Sequence, residues 1–531
     1  MCISKVRVSS IAFLLAASLL LATSEETGSQ TNKDKLTLLA RSRQEIPSAE
    51  GEFRVLSIKL NWAPSQTAII VCDVWDQHWC KGATRRGGEL APRINEVVSK
   101  ARDRGVLIIH SPSGTMDSYQ DHSGRKIARS APEAANLPKD IAKWCRWIDE
   151  NEQATGYPID HSDGGCDCEP TCKQASPWRG QIDTIEISDK DAISDSGVEI
   201  WNLLEHRGID NVIIMGVHTN MCVLGRPFGL RNMARYGKNV VLMRDLTDTM
   251  YNPRMRPLVS HFTGTDLVVE HVEKFVCPTV TSTALTGKPQ FTFKNDRRPR
   301  VVFISAESEY GSAESLPGFA HELETKYGLC CEVLQGSTRK KAEDRNYIGG
   351  MEVLTGADLA VLFVRRRALP AADMKYFRDY MDSGKPLIGL RTASHAFDTR
   401  GNTPQGCSEW RDLDNTVLGG SYHGHHGNGP TCTVTLADGA KRHPILASVS
   451  LPFTSNGSLY EVRPLGKSTR QLLIGTIADK EPEPVAWTNK YGKSRVFYTS
   501  LGHPDDFKNE YFHTLLINAV FWAIKKPVPQ Q

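Results

Sequence analysis

Short runs of apolar and β-branched residues alternate along this chain with stretches in which apolar side chains return every three or four positions. That rhythm predicts parallel sheets with helices on their faces. In the first half, strands are expected at Thr67–Cys72, Val106–Ile109, Thr184–Ile187, Val212–Met215 and Val240–Met243. Leu90, Ile94, Val97, Val98 and Ala101 keep helical spacing, and Gly105 stops that helix. A second helix is expected near Val198–His206 and a third ends at Gly237. Residues 111–180 break the rhythm, being polar, Pro- and Cys-containing and without a clear period, which marks an insertion or long lid.

The pattern restarts after the charged, Pro-bearing stretch 294–298. Strands are expected at Val301–Ile304, Leu359–Val364 and Pro386–Leu390, and helices at Leu316–Tyr327 and Ala372–Met381. A hairpin-like stretch, PVAWTNKYGKSRVFYTS, leads into a closing helix at Phe512–Ile524. A chain of 531 residues exceeds what one core normally serves. The fold class is therefore α/β, in two doubly wound domains: 51–293, with its insertion at about 111–180, and 294–531. Residues 25–50 are expected as a polar linker.

Residues 1–24 carry Lys5 and Arg7 ahead of the apolar run Ile11–Leu21, then the small residues Ala22-Thr23-Ser24. This is the pattern of a cleaved signal peptide, so the mature protein is expected outside the cytoplasm, secreted or periplasmic. The run is shorter than the ~20 residues that span a bilayer, and no membrane association is expected after cleavage. The 64 basic and 61 acidic residues nearly balance, without a long basic run, which argues against a nucleic-acid partner. The expected partner is a small-molecule substrate, and homo-oligomerisation is left open. Thirteen cysteines in an exported chain favour disulfides. Cys166, Cys168 and Cys172 crowd the loop GGCDCEPTC, read as a disulfide knot or, with Cys145, a zinc site; the disulfide is favoured because the spacing matches no strong metal pattern.

Catalytic groups of open α/β sheets gather at the carboxyl ends of the strands. Asp73, Lys190 and Cys222 are placed there by the expected strands. Singly, each has an ordinary explanation as a helix cap, a solvated cation or core filler. Together, the stretches IIVCDVWDQHW, IEISDK and IIMGVHTNMCV, with the later VVLMRDLTDT, resemble the motifs of the isochorismatase-like cysteine hydrolases over roughly Val55–Val280. The resemblance implies catalytic roles for Asp73, Lys190 and Cys222, and an oxyanion hole from the backbone N–H groups of His218 and Cys222, with a cis bond between Val217 and His218. It implies hydrolysis of a small amide or related C–N bond through a Cys222 thioester. Asp73 would move the proton and Lys190 would stabilise the charge. No cofactor and no catalytic metal are expected. His78, His110 and the pair Asp121-His122 do not reproduce the spacing of metal-dependent nicotinamidases, so nicotinamide hydrolysis is only one possibility.

Substrate contacts are expected from Trp75, Trp79, His110 and Arg226. Arg226 admits two readings, as a receptor for an anionic group or as the structural partner of a nearby carboxylate. One rival keeps the fold but cleaves a vinyl ether, as isochorismatases do, without a thiol intermediate. Another places the function in the second half.

That second half, about Arg300–Lys526, resembles the trehalose-utilisation (ThuA-like) family through RVVFISAESEYG, GKPLIGLRTASHAF and RVFYTSLGHPDDFKNEYFHTLLINAVFWA. The resemblance implies a flavodoxin-like sheet related to class I glutamine amidotransferases, and a role in binding or processing carbohydrate. A glutamine-hydrolysing thiol is missing from the turn after Pro386–Leu390, which reads Arg391-Thr392-Ala393-Ser394-His395. His395, His423 and His503 are candidates for a second-domain pocket.

Overall fold

Six residues, Thr67–Cys72, are wholly buried and have neighbours on both sides, which is why they read as an unbroken apolar run. They form β3 of the first sheet, whose other strands are β1 (Leu36–Ile46), β2 (Ala49–Trp62), β4 (Leu107–Ser111), β5 (Ala192–Ile193), β6 (Asn211–Val217), β7 (Asn239–Asp248) and β8 (Thr279–Val280). Their spatial order is β2-β1-β8-β7-β6-β3-β4-β5. Strands β8 to β5 in that order run parallel, and the β1–β2 hairpin closes the sheet antiparallel. The computed structural model describes residues 35–530 except 48, 339–343 and 428. The expected signal peptide lies outside the described residues.

Two expectations need correction. Residues 36–46 are not a linker: Leu36, Leu38 and Ala40 alternate inward and are buried, so this segment is a strand. Thr184–Ile187 is not a strand either; only Ile185 of the four is buried, and the sheet strand is β5, beyond Lys190.

The chain leaves β3 to form β4 on one side and later returns as β6 on the other. The carboxyl ends of β3 and β6 therefore flank a topological switch point, where crossover connections diverge and open a crevice. The register pairs Cys72 with Gly216, so Asp73 and Val217 leave the sheet side by side. Gly216 has φ +114, and a Cβ there would meet the Cys72 carbonyl oxygen at 2.1 Å. Gly216→Ala is therefore expected to destabilise the first domain by about 3 kcal/mol or more, read as a lower melting temperature; an unchanged melt would show that the strands can part without cost.

The second sheet orders its strands as 330–335, 300–306, 359–364, 387–390, 494–499, 483–491, 470–476, 432–436 and 453–455. The first five are parallel and the rest antiparallel. Its helices include Ser312–Tyr327, Ala371–Asp382 and Glu510–Ala523. Two mostly parallel α/β sheets are thus present, as the pattern predicts. The β1–β2 hairpin joins them: Arg41 reaches Glu273 at 2.8 Å and, across the boundary, Glu332 at 2.7 Å. Among the described residues no helix is long and apolar enough to cross a membrane.

Candidate functional site

Asp73 follows β3 directly and takes a left-handed backbone, φ 50, that turns its side chain into the crevice. It is fully buried. Its Oδ1 accepts the Ser113 N–H at 2.7 Å, and its Oδ2 accepts the Arg226 Nε–H at 3.1 Å. Cys222 sits in the tight turn Thr219–Val223 that follows β6, and is 8% exposed. Its thiol faces both the carboxylate and the guanidinium. Neighbouring side chains hold this turn. Thr219 Oγ1 donates to the Asp248 carbonyl at 3.0 Å, and Asn220 exchanges two 2.9 Å bonds with the Met250 backbone. The Val217–His218 peptide is cis.

Burial pushes the Cys222 thiol far up, and the Asp73 charge adds to this while Arg226 opposes it. Burial also raises the Asp73 carboxyl, again against Arg226. The trio is one thiol, one carboxyl group in an ion pair and the guanidinium that pairs with it. Moving the thiol proton to Asp73 leaves the net charge of the trio unchanged, because the proton stays within it, and Arg226 faces the anion in either form. An internal proton transfer avoids the cost of creating an isolated thiolate in a dry site.

Lys190 is not brought into this set. It lies on an exposed turn, its backbone N–H 3.4 Å from Ser188 Oγ. Because β5 follows Lys190, and Ala192 pairs with Ile109, the lysine precedes its strand and stands toward the amino end of the sheet. The cation beside the thiol is instead Arg226, whose Cζ lies 5.3 Å from the centre of the Trp144 ring. Of the two readings of Arg226, the ion pair with a nearby carboxylate is the one observed, and the carboxylate is Asp73.

His110 also departs from expectation. It is fully buried, with Nδ1 2.9 Å from Gln181 Oε1 and Nε2 3.2 Å from Asp191 Oδ2, so it braces the sheet edge rather than lining a pocket. Trp75 does stand by the site: its indole N–H donates at 3.1 Å to the carbonyl of Ser113, the residue whose amide holds Asp73. Trp178, which sequence reasoning missed, stacks on Trp75 with centroids 4.5 Å apart. Trp79 packs against His78 and the cysteine-rich loop. The insertion thus folds back over the strand ends, with Cys145 N–H donating to the Gly225 carbonyl and Tyr157 OH to the Asn220 carbonyl.

Behind the aromatic wall, the His78 and His218 rings meet edge to face at 4.8 Å. Burial, then Arg86, lowers His78 from 6.5 to about 4; burial, then His78 itself, lowers His218 to about 3. Both are neutral in the fold and would take up protons near 6.5 once unfolded. Their stabilisation is thus complete above pH 6.5 and is lost as pH falls toward 4 and 3. Calorimetric melting temperature should decline through that window, and His78→Asn should flatten the decline; an identical slope in the variant would contradict this account.

In the second domain, His395 and His423 line one open cavity of about 410 Å³ with Arg366, Asp398, Arg400 and Tyr422. His395 is buried and stacks on Tyr422 at 4.6 Å. His503 is not among the lining residues; it lies 3.4 Å from Asp505 and edge-on to Tyr310, on a different turn. Arg391 occupies the tight turn after the strand Leu387–Leu390 with φ 43. Its guanidinium is buried against Tyr310 and Tyr460 and donates to the Ser500 carbonyl at 2.7 Å.

No curated protein matches the chain. Among solved structures, similar chains include a putative ThuA-like protein from Parabacteroides merdae, at 17% identity and a TM-score of 0.34, covering 44% of this chain and 93% of that one. A cysteine hydrolase from Pseudomonas syringae pv. phaseolicola is 15% identical with a TM-score of 0.26, covering 42% and 92%. An isochorismatase family protein from Burkholderia thailandensis is 14% identical with a TM-score of 0.24, covering 42% and 95%. Residues 300–523 match the family model described as trehalose utilisation, so the second unit contains a ThuA domain.

Proposed function

We propose that the first domain is a cysteine hydrolase that cleaves small amide-type C–N bonds, with Cys222 as nucleophile, Asp73 as proton carrier and Arg226 as the balancing cation. The observation that carries this reading is the Arg226–Asp73 pair at 3.1 Å with the Cys222 thiol facing both, at the sheet's switch point. Asp73 takes the Sγ proton as sulfur attacks the carbonyl carbon. The C–N bond then breaks and the departing amine receives that proton. Water attacks the resulting thioester, Asp73 accepts the water proton, and the acid leaves as Sγ is reprotonated. The N–H groups of His218 and Cys222 are proposed as oxyanion donors. Arg226 has the role that the motif resemblance gives to Lys190.

The test is release of ammonia or amine by the full chain from a panel of primary amides and N-carbamoyl amines. Turnover that iodoacetamide abolishes supports the proposal. Turnover only of vinyl ethers, insensitive to the alkylating agent, would replace it with the isochorismatase-type reaction. A second reading rests on the His395 cavity: a carbohydrate ligand there would raise the melting temperature of the full chain in a sugar panel, and His395→Ala would remove the shift.

A further inference from the structure

The loop expected to form a disulfide knot instead meets a fourth cysteine from elsewhere. Cys80 lies 86 residues before Cys166 and stands at the N-cap of the helix Lys81–Asp103, called α1 here. Its Sγ is 3.3 Å from that of Cys166 and 3.8 Å from that of Cys168. The three sulfurs all lie within 4.8 Å of one another. The Cys172 thiol lies beside those of Cys166 and Cys168, at the edge of this group of three. All four are free thiols, and Cys80 and Cys166 are fully buried. Cys145 is not part of the group; its Sγ–H points to the Trp147 carbonyl at 3.3 Å.

Three sulfurs around one point, with a fourth beside two of them, supply the donor set of a tetrahedral thiolate site. A zinc–sulfur bond of ~2.3 Å sets a tetrahedral edge of about 3.8 Å, close to the spacings of Cys80 from its neighbours. A disulfide pairs two sulfurs and has no use for a mutual cluster. Backbone donors are already aimed at the sulfurs. The Gly82 N–H reaches Cys168 Sγ at 3.2 Å, and the Lys81 N–H reaches Cys172. These groups belong to the first turn of α1, whose positive end favours thiolates. Close packing holds the loop there: a Cβ on Gly165 would strike the Met250 carbonyl at 2.3 Å, and one on Gly82 would strike Asp167 at 2.3 Å. The nearby Asp167 is engaged by Arg86 at 2.6 Å, so the cysteines are the available ligands.

We infer that Cys80, Cys166, Cys168 and Cys172 bind one structural zinc ion that clasps the insertion to the start of α1. Each thiol releases its proton to solvent as its sulfur–zinc bond forms. The site lies next to Trp79 and Met221, and Met221 precedes Cys222, so the ion would fix one margin of the candidate hydrolase site without joining its chemistry.

Zinc content of the full chain, purified under reducing conditions and loaded with zinc, should be one ion per chain. Cys166→Ser and Cys172→Ser should each lose it, and Cys145→Ser should retain it. Because the first two variants can fail to fold, cobalt is exchanged into the unaltered chain. The expected result is the near-ultraviolet sulfur-to-cobalt charge-transfer band and the intense visible bands of a tetrahedral thiolate site. Absence of bound metal, iron in place of zinc, or disulfide-linked peptides among these four cysteines would overturn the inference.

Discussion

Cys222→Ala should lower amide turnover by at least about 10³-fold while leaving the fold in place, since the proposed acyl bond forms on its sulfur. The thiol sits in a turn whose shape is set by the Thr219 and Asn220 bonds and not by its own sulfur. Removal of one sulfur should therefore change the melting temperature little. Cys222→Ser should be nearly as damaging. A hydroxyl is far harder to ionise than a thiol, and burial already works against the anion at this position. Steady-state rates with any substrate found in the amide panel decide the matter. Turnover retained by the alanine variant would mean that Asp73 acts without a covalent intermediate.

The second large effect separates the two cations. Arg226→Ala should reduce kcat by about 10²-fold or more, because the charge that neutralises the Asp73–Cys222 pair is lost from a dry site. Arg226→Lys should recover part of that loss, since an ammonium supplies the charge but not the Nε–H that holds Oδ2 at 3.1 Å. Lys190→Ala, by contrast, should leave kcat within about twofold, as expected for a solvated surface residue. The pH profile offers a further readout: without Arg226, Asp73 should titrate at higher pH, because the opposing charge that now restrains its burial-driven rise is gone. A loss of activity in Lys190→Ala with Arg226→Ala unaffected would reverse the assignment.

The central strands were legible because their burial is two-sided. Thr67–Cys72 and Leu359–Val364 are unbroken apolar runs, and their bounds in the fold are those expected. The β1 strand was not, because only one face of it is buried: Leu36, Leu38 and Ala40 alternate with the less buried Thr37 and Leu39 and then give way to Arg41 and Arg43, whose partners lie more than 200 residues away. Asp73 and Cys222 could be placed from local sequence, since each follows a recognisable strand. Lys190 was misplaced for the same reason in reverse, as the apparent strand before it does not exist. The ion pair of Arg226 with Asp73 and the approach of Cys80 to Cys166 are tertiary facts. No local period marks them, and only the adjacency of β3 and β6, or the return of the insertion, brings those groups together.

The most direct measurement is the intact mass of the full chain quenched during turnover of an amide, followed by peptide mapping. A single acyl adduct on Cys222 is expected in the unaltered chain quenched with acid, and hydroxylamine should remove it as the hydroxamate. Active chain carrying no adduct, or an adduct mapped to any other residue, would contradict the thioester mechanism.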